Sequence, residues 1–97
     1  MFSTLPIHDA TLQSFHFKWA DSRCIFELDT VDAGVCELVF SGVTNLDVPR
    51  LMPWGPSVSV NSTRQVGLRS FEIELQSGDI LKVQADGWQF DSEHSVN

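Results

Sequence analysis

Apolar and polar side chains alternate along most of this chain, the period of two that marks a β-strand with one buried face. Over residues 12–19, Phe15, Phe17 and Trp19 alternate with Ser14, His16 and Lys18. Over 24–30, Cys24, Phe26 and Leu28 oppose Ile25, Glu27 and Asp29, and over 35–40, Cys36, Leu38 and Phe40 share a face. These three runs read as a meander. A loop at 20–23 sets Trp19 opposite Cys24, Phe17 opposite Phe26 and Phe15 opposite Leu28. A loop at 32–34 ends on Gly34, where such a turn wants a positive φ. It sets Thr30 opposite Cys36, Leu28 opposite Leu38 and Phe26 opposite Phe40. Both registers gather the large apolar side chains on one face, and a slip by one residue would turn a whole strand outward. On the other face His16 is expected across from Glu27, and Asp29 beside Glu37.

The middle of the chain differs. Residues 43–48 read as a short strand. Pro49, Pro53 and Pro56 then bracket Leu51, Met52, Trp54 and Gly55, which excludes a helix or a central strand there. Val58 and Val60 alternate with polar neighbours and predict another short strand, with 62–68 as a loop. The last hairpin is the clearest. Phe71, Ile73 and Leu75 alternate with Glu72, Glu74 and Gln76, a turn at 76–78 ends on Gly78, and the return strand sets Leu81 opposite Ile73 and Val83 opposite Phe71. Lys82 then meets Glu72, or Glu74 at the next register. Trp88 and Phe90 extend this strand past Gly87, and 92–97 reads as a loose tail. Six or seven short strands with turn signals predict an all-β, mainly antiparallel fold: a sandwich or a partly open barrel.

Length and charge narrow the picture. The 97 residues carry 42% hydrophobic side chains, enough for one core, so a single domain over 1–97 is expected. Thirteen acids against six bases give a net charge of −7, which argues against a nucleic-acid partner, since phosphate binding needs clustered Lys and Arg. No apolar run approaches the roughly 20 residues a membrane helix needs, so no membrane partner is expected. The first residues show no secretory pattern, so a cytoplasmic location with reduced thiols is expected. The meander register agrees, placing Cys24 and Cys36 roughly 20 Å apart, beyond the reach of a disulfide. The charge is uneven: residues 20–47 hold Asp21, Glu27, Asp29, Asp32, Glu37 and Asp47 against Arg23 alone.

Three groups are candidates for function. Glu27, Asp29 and Glu37 share the solvent face of the meander and form an acidic patch suited to a basic protein partner; ordinary solubility charge is the plainer reading. Arg50, Met52 and Trp54 lie on the proline-stiffened segment, where Trp54 either anchors a partner or folds back as a plug on the core. His8 and Asp9 stand side by side before the first strand. They suit either a turn, with Asp9 capping and His8 bonded to backbone, or a metal- or ligand-binding enzyme site. The sequence lacks the spacings H-x-x-x-H, G-x-S-x-G, C-x-x-C and the glycine-rich phosphate loops. No catalytic residue, metal or cofactor is therefore expected.

The string Ile7-His8-Asp9-Ala10, followed by Leu12 and an alternating strand, resembles the start of small bacterial immunity proteins of the immunity-protein-50 type and of related uncharacterised bacterial β proteins. The likeness covers residues 7–40. It implies a cytosolic, mostly β protein that neutralises a toxin by binding it, and it carries over only His8 and Asp9 as positions. The combined expectation is a non-catalytic binding module, an immunity-like inhibitor of a basic toxin. The alternatives are a small enzyme built on His8 and Asp9, and a homo-oligomeric scaffold pairing through a strand edge.

Overall fold

The computed structural model describes residues 1–31, 33–51 and 58–92. The fold is all-β, as the alternation requires. Among the described residues, eight strands, rather than the six or seven expected, follow a 3-10 turn at Phe2–Thr4. They are β1 (Thr11–Lys18), β2 (Arg23–Thr30), β3 (Gly34–Ser41), β4 (Asn45–Asp47), β5 (Val58–Gln65), β6 (Ser70–Leu75), β7 (Ile80–Gln84) and β8 (Gly87–Ser92). All pair antiparallel in one sheet of order β4-β7-β6-β5-β1-β2-β3-β8, which is not closed into a barrel.

The sheet bends on itself at the short β1–β5 pairing, Thr11 with Ser59 and Leu12 with Val58. Its two halves then face each other, and the buried side chains of both join one cluster. Phe40 of β3 and Phe71 of β6 meet across it with ring centroids 5.4 Å apart. Phe2, 1% exposed, packs against both, at 5.8 and 5.0 Å. The 3-10 turn thus fills the mouth between the halves, and Thr63 Oγ1 donates to the Phe2 carbonyl at 2.9 Å to hold it there.

Both meander registers sit two residues from those expected. Phe15 pairs with Phe26 and Phe17 with Cys24; Phe26 pairs with Leu38 and Leu28 with Cys36. In the first hairpin the loop is 19–22, because Ser22 takes the left-handed conformation at φ 53° and lets Arg23 enter the strand. In the second, Gly34 at φ 72° pairs with Thr30 inside the ladder instead of lying in the loop. A shift of two preserves the faces, so Cys24, Phe26, Leu28, Leu38 and Phe40 are buried as expected. The facing partners change: His16 lies across from Ile25, not Glu27, and Asp29 across from Val35, not Glu37.

Three further expectations are corrected. Trp19 is 84% exposed because it lies in the turn. Residues 62–65 belong to β5 rather than to a loop: a bulge between Val60 and Ser62 turns their hydroxyls and charges toward partners on β6, with Arg64 on Glu72 at 2.7 Å and Ser62 on Glu74 at 3.1 Å. Trp88 and Phe90 do not prolong β7. The chain changes partners at a corner, where the Ala85 N–H bonds to the Arg69 carbonyl and the Asp86 N–H to the Ser41 carbonyl, and β8 pairs with β3. The last hairpin forms in its expected register, with Lys82 opposite Glu72 and Gly78 at φ 101°. The expected plug or anchor at Trp54, together with Met52, lies outside the described residues.

Candidate functional site

The register places a line of carboxylates across three neighbouring strands. Glu27 of β2 faces Glu37 of β3, and Glu37 faces Asp91 of β8. Ser14 of β1 completes the row beside Glu27 and donates from Oγ to Glu27 Oε1 at 3.4 Å. Gln89 Nε2 lies 3.0 and 3.3 Å from the two Asp91 oxygens. Directly facing residues of an antiparallel ladder have Cα atoms about 4.5–5.5 Å apart, and like charges held there repel. Glu27 and Glu37 are half-buried and Asp91 is exposed. The ion pairs His8–Asp9, Arg64–Glu72 and Arg69–Asp86 lie away from the row.

Along the strands the same face grades from one charge to the other. Two residues from the carboxylates lies His16, Ile25, Val39 and Gln89, and two further lies Lys18 with Arg23. Asp29 extends the acidic end on β2, exposed, beside Val35. The acidic patch read from the sequence is therefore present, with Glu27 in the place given to Asp29 and with Asp91 added. Asp91 escaped the sequence reading because alternation marks Trp88 to Asp91 as a strand but names no partner for it. Among the described residues no group of three or more His, Cys, Asp and Glu is placed to hold a metal ion.

His8 and Asp9 occupy a turn closed by the Ala10 N–H on the Ile7 carbonyl at 3.0 Å. Asp9 takes φ 67° there, a conformation that Asp tolerates better than most residues. His8 Nδ1 lies 2.6 Å from the Asn61 carbonyl, and Gln76 Nε2 donates to Asp9 Oδ1 at 2.5 Å. The pair ties the start of β1 to the bulge of β5 through the His8–Asn61 contact and to the β6–β7 turn through Asp9 and Gln76, a side-chain bond where the sequence suggested a cap. Both side chains are exposed and the His8 Nε2 to Asp9 Oδ1 distance is 3.6 Å. Arg50 is exposed beyond β4, and the partners of His8 and Asp9, Asn61 and Gln76, stand outside the carboxylate row.

A second feature was missed by the sequence reading. Trp19, Phe17, Val43 and Leu46 line a groove of about 620 Å³ where the β1–β2 turn approaches β4, and the Phe17 and Trp19 rings meet edge-on at 5.6 Å. The alternation assigned Trp19 to the core; only the placement of the turn exposes it. Both cysteines are buried and free. Cys24 pairs with Phe40 and Cys36 with Leu28, which separates them by four residues along β2, or roughly 13 Å. Burial pushes the Cys24 thiol up to about 11, so it is a poor nucleophile in the folded protein.

Fold and site together define an open antiparallel β domain with a one-sided carboxylate row. No protein-family model matches the chain, and no curated protein or solved structure matches it either. No helix of the described residues is long and apolar enough to cross a membrane.

Proposed function

We propose that this protein is a non-catalytic binding module that takes a basic protein partner on the face formed by β1, β2, β3 and β8. One observation carries the reading: Glu27, Glu37 and Asp91 stand in line on adjacent strands, and none of the ion pairs seen among the described residues involves them. Such a row costs folding free energy in the isolated domain. A partner presenting Lys or Arg removes that cost on binding, so the repulsion becomes affinity and steers encounter. The hydrogen-bonded ladder beneath holds the charges in place before the partner arrives, which limits the ordering cost of association. The resemblance at residues 7–40 favours an inhibitor of a bacterial toxin acting in the cytoplasm, and the binding chemistry calls on no cofactor.

The test is isothermal titration of the purified protein with the product of the neighbouring gene, at low and at physiological salt. The triple variant Glu27→Gln, Glu37→Gln, Asp91→Asn keeps the shape and removes the charge. Affinity that falls at least tenfold in the variant, and that falls with salt in the wild type, is expected. Equal affinity of wild type and variant refutes the proposal.

A further inference from the structure

Among the described residues the carboxylate row ends at an unpaired edge. β8 is the last strand of the sheet, and among the described residues it pairs only with β3. It runs six residues, Gly87–Ser92, without a register shift, lysine or proline. Those are the devices that usually blunt an edge against further pairing. At the other end of the sheet β4 is only three residues long, too short to receive a strand of useful length.

The two sides of β8 differ in chemistry. Trp88 and Phe90 point inward and pack against the buried cluster, yet both stay half-exposed at the edge where the sheet does not close. Trp88 stacks edge-on with Phe2 at 5.5 Å. Gln89 and Asp91 point outward, Asp91 continuing the line from Glu27 and Glu37. A strand laid beside β8 therefore meets apolar surface at Trp88 and Phe90 and, on the other side, the neutral Gln89 and the charge of Asp91 at the end of the row.

We propose that the partner binds by strand addition: an extended segment in which Lys or Arg alternates with apolar residues pairs with β8 as a ninth strand. Its backbone satisfies the outward-facing amides and carbonyls of β8. Its apolar side chains cover Trp88 and Phe90, and its basic side chains extend the Glu27–Glu37–Asp91 row. Main-chain bonds supply affinity and the alternating pockets supply specificity. This mode rests on the reading of the carboxylate row as the partner-binding face, and it adds which edge and which sequence pattern are recognised.

The experiment uses the full chain and a capped octapeptide of alternating Lys and Val. The controls are a block peptide of the same composition and an alternating peptide methylated at every second backbone nitrogen. Affinity is read by the fluorescence of the protein, and pairing by amide hydrogen exchange over residues 87–92. The alternating peptide is expected to bind more tightly than both controls and to protect alternate β8 amides. Asp91→Lys, at an exposed position, is expected to weaken it about tenfold, equivalent to roughly 1.4 kcal/mol. If all three peptides bind alike without protecting β8, strand addition is wrong while the acidic face survives as a docking surface. If none binds, both ideas fall. If the β8 amides are already protected in the protein alone, at a dimeric mass by light scattering, a second copy occupies the edge and the proposal is overturned.

Discussion

Neutralising Glu37 should stabilise this protein. Glu37 faces Glu27 on one side and Asp91 on the other, so Glu37→Gln removes both repulsions while keeping the side chain's shape. Cβ atoms of facing residues lie about 5 Å apart, and charges about 6 Å apart repel by roughly 0.7 kcal/mol in bulk water and about 3 kcal/mol at an effective dielectric near 20. Glu37 is half-buried on a solvated face, so the lower figure governs, and physiological salt with a Debye length of about 8 Å weakens it again. The sum over two neighbours is a gain of roughly 0.5–1 kcal/mol. For a domain of this size that raises the melting temperature by about 2–8 °C. Thermal unfolding followed by circular dichroism at low salt measures it, and in about 1 M salt, where the Debye length is roughly 3 Å, the gain should largely vanish. The same variant should bind a basic partner less well. Opposite signs for stability and affinity mark a row kept for binding. A Glu37→Gln protein no more stable than wild type at low salt would show that these carboxylates do not repel, and the physical basis of the proposed function would go with them.

Other outcomes follow from the packing. Phe40→Ala should cost about 3–5 kcal/mol in urea unfolding, because Phe40 is fully buried and meets Phe2, Phe26 and Phe71; a loss under about 1 kcal/mol would contradict the facing of the two half-sheets. Gly42→Ala should destabilise by more than about 1 kcal/mol, since Gly42 has φ +65° and an added Cβ would fall 2.1 Å from Asp86 Oδ2, displacing the carboxylate that pairs with Arg69; the midpoint of urea unfolding checks this. Cys24 and Cys36 should resist a thiol reagent in the native protein and react fully after denaturation without reductant, and an absorbance assay counts them. With the Cys24 thiol raised to about 11 from 9.0, the unfolded chain loses its proton first, so this contribution to stability is intact below pH 9 and is lost as pH rises from 9 toward 11. Stability constant across that window would refute the burial argument.

Alternation made strands and their faces legible because side-chain direction in a strand depends only on residue parity. That is why parity places Cys24, Phe26, Leu38, Phe40, Ile73 and Leu81 inward, where the structure buries them, even where the facing partner differs. Registers were less legible. A shift of two residues leaves the faces identical, so alternation does not fix the register, and the left-handed Ser22 and Gly34 go with the one that forms. The candidate site inherited that ambiguity: the acids of β2 and β3 were identifiable from the sequence, while which of them stood opposed was not.

What the chain alone determined is local: its period, its all-β class, its turn residues, and the acidic side of its first meander. Pairing between distant segments was decided only by the fold. The sequence has no term for which strand lies beside β3, so Asp91 joined the carboxylate row, and Trp88 and Phe90 came to the open edge, only once the corner at Ala85 and Asp86 carried β8 across. Parity is a property of one strand and can be read from it. Adjacency is a property of the whole buried core, which must close over Phe2, Phe40 and Phe71 before any edge or row exists.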